Sequence, residues 1–595
     1  MNALTAWQPW AVAAVAAVMF LTNLGGSRLW DDDEPKNARC GAEMLERGEW
    51  VVPTFNDELR DHKPVLLYWA MIASYSAFGV NEFAARLPSA LSCLAVAVMC
   101  YHMGRLLFDR SVGLAAGLLL SCGLMFAVLA RAATPDGVLM VGTTSALLFF
   151  VSGVAARRGG HFSGEGQPAP LASFQLPIGY AIGMYVALGV AVLAKGPIGL
   201  LLPLWAICLY GLFGEPLSEP SSKRIENLNG WKRFTAWLIA AAALMRWVRG
   251  ARSIRLLMGI PIVLAVAGPW YVAVSMQTSG DWLSGFLGTH NVGRFMNAME
   301  GHNGPIIYYV VAVLAGFFPG SCFLPVAVIG SARARASGGT MAPSHALVLA
   351  IIGAWIGFFS LAATKLPNYV IPCYVGLALA TAAWLVASVQ RTCSVKSWLG
   401  AGLGSCCVAG LAVGIALAIV GGPLMGGTPL IGLAGLLPIT GGALGLWMLS
   451  NGQPHRAMTA FVACSLVFTL TAVSVVAPIA SPYADGPRLA EQVKQLETPN
   501  DPVRFVTFHY TTPSLVWTMG RGVPSLGEEA TLELLAQPNT AAAMPVEEYE
   551  RLKPLLPAGV TKLTEEGRFL RTHKRIALIG HRDLVARGEG KNLVR

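Results

Sequence analysis

Apolar runs, each near the length that crosses a bilayer, recur from one end of this chain to the other. They fall near 8–24, 86–107, 112–130, 136–155, 177–194, 197–213, 254–275, 305–330, 345–363, 368–389, 397–420, 428–449 and 456–479. A crossing helix needs about 20 mainly apolar residues, so this pattern predicts roughly thirteen transmembrane helices. The 595 residues are 54% hydrophobic and 13% charged. Soluble domains carry about 25% charge, which leaves a mainly α, polytopic membrane protein as the class. Two further apolar stretches, Leu66 to Val80 and Phe234 to Trp247, are expected to lie at the membrane surface. No Lys or Arg precedes Arg28, so the first run lacks a secretion signal's basic flank and is expected to remain as the first span.

The net charge of +10 is read as topogenic, not as affinity for nucleic acid. With the N-terminus in the cytoplasm, the inner loops take Arg105 and Arg110, Arg157 and Arg158, and the basic stretch from Lys223 to Arg255. They also take Arg333, Arg335, Arg391, Lys396 and Arg456. That is the bias the positive-inside rule requires in a plasma-membrane protein. The loop 29–85 and the C-terminus then face outward. The eleven Cys show neither CxxC nor Cys/His ligand spacing, so no zinc site or disulfide framework is indicated. From about residue 481 the pattern changes. "PVRFVTFHY" and "RIALIG" read as strands, and 485–497, 527–536 and 545–553 as short amphipathic helices. The expected organisation is a transmembrane domain over 1–480 and a small extracytoplasmic α/β domain over 481–595.

The first outer loop opens with Asp31, Asp32, Asp33 and Glu34. Ala38, Gly41, Ala42 and Leu45 then repeat at helical spacing, with Glu43, Glu46 and Glu49 off that face. Pro35 suits a first turn, Asp33 or Glu34 a cap, and Gly48 a stop. Capping needs one acid, however, and four are present. Basic residues also break the topogenic rule on this same side. Lys63, Arg131, Lys195, Arg294 and Lys365 all fall in outer connections, with Asp136, His290 and Tyr369 nearby. Singly, such residues are usually interfacial anchors or snorkelling lysines. Together, on one side, they mark a functional cluster. Cations there would bind phosphate through charge-assisted hydrogen bonds, and a carboxylate would take a proton from a hydroxyl.

The segments "DEPKNARCGAEMLERGEWVVP", "HKPVLLYW", "FAARLPSAL", "KGPIGLLLP", "GPWYVAV", "HNVGRF" and "KLPNYVIP" together resemble the GT-C glycosyltransferases. Within them the set is most similar to the aminoarabinose transferases of lipid A and their protein O-mannosyltransferase relatives. The resemblance runs in order from about residue 29 to 385. It implies a GT-C fold and transfer of a sugar from a polyprenyl-phosphate donor to a hydroxyl on the outer face, with inversion. The acceptor would be a glycolipid such as lipid A, a protein or a surface glycan. By the same resemblance Asp33, with Glu34 beside it, would orient or deprotonate the acceptor, and Asp136 would be a second acidic position. Lys63 and Lys195 would hold the donor phosphate. Arg294 and Tyr369 match further pocket positions, with Arg131, His290 and Lys365 added from the sidedness of the charge. Lys36, Asn37 and His62 depart from the family pattern, where Arg, an aromatic and an acid are common. The carboxylates leave room for a divalent metal such as Mg or Mn, but no cofactor is specified. A lipid-linked sugar transporter or flippase is the alternative; it would want broken or charged helices at mid-membrane.

Overall fold

The computed structural model describes all residues except 1–6, 30–31, 164–174, 215–243, 298–302, 391–395, 425–428, 499–500, 569–570 and 590–595. Asp31, Lys223, Arg224, Lys232, Arg233, Arg391 and most of the stretch from Phe234 to Trp247 therefore lie outside the described residues.

The chain is a mainly helical, multi-pass membrane protein. Helix α1 (Gln8–Leu21) is followed by α2 (Asp33–Arg47), a hairpin of β1 (Thr54–Phe55) and β2 (Glu58–Leu59), and α3 (Leu66–Phe78). Next come α4 (Glu82–Leu107), α5 (Arg110–Cys122), α6 (Leu124–Ala130), α7 (Pro135–Arg157), α8 (Ile178–Lys195) and α9 (Ile198–Leu209). Among the described residues nine helices are long and apolar enough to cross a membrane, or eleven if two bent pairs each count once. The roughly thirteen expected from the sequence include two apolar helices that fall below this length. Helix α1 and the helix Ile198–Leu212 are apolar but fall short of full span length, as does α3.

The two bent pairs show how a span can break inside a bilayer. Helices α5 and α6 meet at 70°, and Tyr308–Gly316 meets Gly320–Ala336 at 119°. A broken helix frees backbone groups that lipid cannot satisfy. Here the breaks serve each other: Leu124 N donates to Phe318 O at 3.0 Å, and Cys122 O accepts the Thr469 hydroxyl at 2.7 Å. Polar side chains also start helices where the sequence turns. Asn81 Oδ1 accepts Ala84 N at the start of α4, and Asp109 Oδ1 accepts Val112 N at the start of α5, both at 2.9 Å. Fully enclosed aromatic residues, Phe20, Phe126, Phe150, Tyr309, Phe317 and Tyr374 among them, fill the core between the spans.

Helix α2 ends where expected, on Gly48 in the left-handed conformation at φ 64°, but neither Asp33 nor Glu34 caps it: the N-cap is Asp32. Glu43, expected on the polar side, is 2% exposed.

The C-terminal region carries a four-stranded mixed sheet in the order β3 (Arg504–Thr507), β4 (Thr540–Pro545), β6 (Arg571–His581), β5 (Val560–Arg568). Strands β3 and β4 are parallel and the other pairs antiparallel. Helices stand at Asp485–Leu496, Glu528–Leu535 and Val546–Leu552, with one more at Pro513–Met519 that hydrophobic spacing did not announce. This sheet region packs beside α2 and the hairpin, at the end of the bundle that holds the ionisable residues.

Candidate active site

Asp33 and Glu34 stand side by side in the first turn of α2 and meet different surroundings. Glu34 is 3% exposed. Its oxygens accept Arg86 Nε and Nη2 at 2.8 and 3.0 Å, and Oε1 also accepts Ala133 N at 2.8 Å. Arg86 in turn donates to the carbonyls of Leu24, Ser27 and Arg28. Glu34 thus ties α2 to α4 and to the chain leaving α1, with both of its oxygens engaged. Asp33 makes no hydrogen bond or ion pair among the described residues. Burial would push its carboxyl up, but Lys63, Arg60, Lys36 and Lys195 outweigh that and hold it below the ordinary range.

Lys63 follows the hairpin and precedes Pro64, which favours an extended backbone before the turn into α3. It too has no hydrogen bond or ion pair among the described residues. Burial, then repulsion from Lys195, bring its ammonium down to about 8, against a pull upward from Asp33 and Asp136.

Lys195 ends α8. Gly196 turns the chain at φ 77°, and a Cβ there would lie 2.5 Å from Phe286, so glycine alone fits. Lys195 is ion-paired with Asp136 in the first turn of α7, and Asp136 Oδ2 accepts Asn368 Nδ2 at 3.2 Å. Asp136 therefore holds Lys195 in place and is itself 3% exposed. The ammonium of Lys195 also lies 5.3 Å from the Tyr369 ring, whose hydroxyl accepts Arg294 Nη1 at 3.4 Å.

Lys63, Lys195, Arg294 and Tyr369 converge on one partly open cleft, lined also by His62, His290 and the apolar Leu139, Ile198, Phe286 and Phe359; Asp33 and Asp136 stand beside it and do not line it. Polar groups thus share the cleft with an apolar wall, the surface an isoprenoid phosphate presents. His290 and Asn291 reach the cleft from a π-helical segment, Gly285–Gly293, a form that recurs at functional sites.

Two expected cations lie elsewhere. Arg131 donates to the carbonyls of Phe20, Thr22 and Asn23, closing the C-terminal end of α1. Lys365 donates to the carbonyls of Phe359, Ser360 and Ala362, closing the helix Ala342–Leu361. Both are helix-end anchors; neither lines the cleft. Spacing had also passed over Arg60 and Arg86. Arg60 is 4% exposed and donates to Tyr68 Oη and to Asn37 Oδ1, at 3.1 and 3.0 Å, behind Asp33. The sign available in the sequence was an arginine inside an otherwise apolar span, as Arg86 is in α4, because such a charge needs a buried partner.

Asp61, His62 and His290 each present one ligand atom within 4.8 Å of one another. His62 Nδ1 and His290 Nε2 both lie 3.1 Å from Asp61 Oδ1, and the ring centres are 3.8 Å apart with the planes tilted by 30°. Burial and the neighbouring cations keep His62 neutral, down to about 3. A neutral imidazole pair with a carboxylate is a donor set that could hold a transition metal such as zinc.

Residues 62–167 match the dolichyl-phosphate-mannose-protein mannosyltransferase family. An undecaprenyl phosphate-α-4-amino-4-deoxy-L-arabinose arabinosyl transferase of Pectobacterium carotovorum is 29% identical over 416 residues, 68% of this chain and 65% of that protein. The match thus spans less than two thirds of that relative's length, and 58% of the corresponding Yersinia pestis protein. The chain is related to the GT-C polyprenyl-phosphate glycosyltransferases. The crystal structure of ArnT from Cupriavidus metallidurans bound to undecaprenyl phosphate superposes with a TM-score of 0.71 over 96% of this chain and 97% of ArnT, at 20% identity. Apo ArnT gives 0.73 over 98% and 99%. At that identity the likeness is one of fold: this chain has the ArnT-like GT-C fold, C-terminal sheet included.

Proposed function

We propose that the protein transfers a sugar from a polyprenyl-phosphate donor to a hydroxyl acceptor at the outer face of the plasma membrane, with its N-terminus in the cytoplasm. The carrying observation is that Lys63, Lys195 and Arg294, brought from three distant connections, share one cleft close to Asp33, whose carboxylate makes no hydrogen bond among the described residues. In this reading Lys63, Lys195 and Arg294 bind the donor phosphate, and Tyr369 and His290 complete the polar lining. Asp33 accepts a hydrogen bond from the acceptor hydroxyl and aims it at the anomeric carbon. The new bond forms between acceptor oxygen and that carbon as the bond from carbon to phosphate oxygen breaks, inverting the centre. The hydroxyl proton leaves by way of Asp33, and polyprenyl phosphate departs with the electron pair, its charge stabilised by the cations. A carboxylate held below its usual range is a weak base, which favours orientation over full proton abstraction in the ground state.

The aminoarabinose-transferase relatives and the ArnT fold support undecaprenyl-phosphate-linked aminoarabinose as donor and a lipid A-type glycolipid as acceptor. The test is a membrane assay with that donor and lipid A, measuring release of undecaprenyl phosphate and mass gain of the acceptor. Release no greater than from the Asp33→Asn protein would overturn the reading. A transporter would carry its unexplained charges at mid-membrane, whereas these sit where the helices end.

A further inference from the structure

We infer that the C-terminal region is a positioning element of the transfer site, fixing the spacing of Asp33 and Lys63 through Arg39, Glu43 and Asn56; this rests on the transferase reading above. Asp33 and Lys63, without hydrogen bond or ion pair among the described residues, belong to two pieces of one loop. Asp33 starts α2, and Lys63 follows the β1–β2 hairpin. Both pieces are tied to one buried carboxylate. Glu43 Oε1 accepts Arg39 Nε at 3.1 Å and Asn56 N at 2.8 Å, and Oε2 accepts the Thr54 hydroxyl at 2.7 Å. Arg39 is 6% exposed and lies on α2 less than two helical turns beyond Asp33. The helix and the hairpin cannot slide past each other without breaking this knot.

The C-terminal region closes it from outside. Arg39 Nη1 donates to Gly520 O at 3.2 Å. At the hairpin tip, Asn56 Nδ2 donates to Val523 O at 3.1 Å and its Oδ1 accepts Val523 N at 2.7 Å, so the side-chain amide pairs with that backbone as a strand neighbour would. Asn56 and Asp57 both have positive φ, 56° and 65°, which aims the tip at the 520–523 loop. Gly522 faces the tip: a Cβ there would meet the end of the Asp57 side chain, with Oδ2 at 2.7 Å. Trp517 Nε1 adds a bond to Glu82 Oε1 at 3.2 Å, at the start of α4. The grip therefore reaches both reacting pieces and the span behind them. Displacements near 1 Å from remote changes can cost about a hundredfold in rate, so such a grip bears on turnover.

Two variants of the full-length protein test this from opposite sides. Asn56→Gly removes the amide while keeping a residue at ease with positive φ. Gly522→Leu pushes on the hairpin tip. In each, kcat is expected to fall at least about tenfold. Affinity for undecaprenyl phosphate should stay within about threefold, since Lys195 and Arg294 also hold it, and the melting temperature should stay near that of the parent. Amide exchange across 33–47 and 54–63 should quicken while the spans stay protected. Unchanged kcat and exchange in both variants would overturn the inference. So would a parallel loss of kcat, lipid affinity and thermal stability, the mark of general unfolding. If the parent protein transfers no sugar but exchange responds as stated, the transferase reading fails while the coupling of α2 and the hairpin to the C-terminal region stands.

Discussion

Both oxygens of Glu34 are held by the guanidinium of Arg86, at 2.8 and 3.0 Å, with both residues buried. The next carboxylate along, Asp33, keeps its oxygens for something else. Asp33→Asn is expected to cut transfer at least about a hundredfold while the protein inserts and melts as before. Glu34→Ala should instead leave Arg86 buried without its charge partner, a loss of roughly 3–5 kcal/mol. Paired melting and turnover measurements separate the two; a stable Glu34→Ala protein would contradict the assignment of Glu34 as a tie.

Lys63→Ala and Lys195→Ala are each expected to lower kcat/KM by about 10²–10³. Asp136→Asn should give part of the Lys195→Ala loss, and the double variant should be little worse than Lys195→Ala alone, because the residues act as one unit. Additive losses would show that Asp136 touches substrate on its own account.

Arg131→Gln and Lys365→Gln remove cations that close helix ends. Their effect is expected on thermal stability, with affinity for undecaprenyl phosphate unchanged. A phosphate-lipid titration is the decisive measurement, and a tenfold or greater loss of affinity would return either residue to the donor site.

The acid side of the pH profile follows from Asp33. Its folded-state pKa is depressed, so the carboxylate is charged at and above the ordinary aspartate value and is lost only as pH falls through the lower folded value. Between about pH 7 and pH 5, kcat/KM should therefore show no limb that disappears in Asp33→Glu or moves with it. A midpoint near pH 6 that shifts in that variant would mean a carboxylate raised, not lowered.

Asp61, His62 and His290 predict about one equivalent of a transition metal in protein purified without chelator. Elemental analysis should find it lost in His290→Ala. Equal metal content in the two proteins would remove the trio as ligands.

Much of this was legible in the linear chain, for identifiable reasons. Span length and apolarity located the helices, and the one-sided excess of cations picked out Lys63, Lys195 and Arg294, which do share a cleft. The same sidedness could not separate them from Arg131 and Lys365, because a lysine or arginine beside a helix end looks alike whether it bonds carbonyls or waits for phosphate. The breaks after Cys122 and near Phe318 were hidden too, since each is made tolerable by a backbone bond to the other. Glu43 was misplaced because helical spacing describes α2 against the membrane alone, whereas the hairpin folds back over Glu43 through Thr54 and Asn56.

The cleft takes its lining from connections at residues 62–63, 195, 290–294 and 369. No fragment of the chain owns it. It exists only once the helices from α3 to the turn at Tyr369 have packed together, so its shape depends on the whole of that bundle at once.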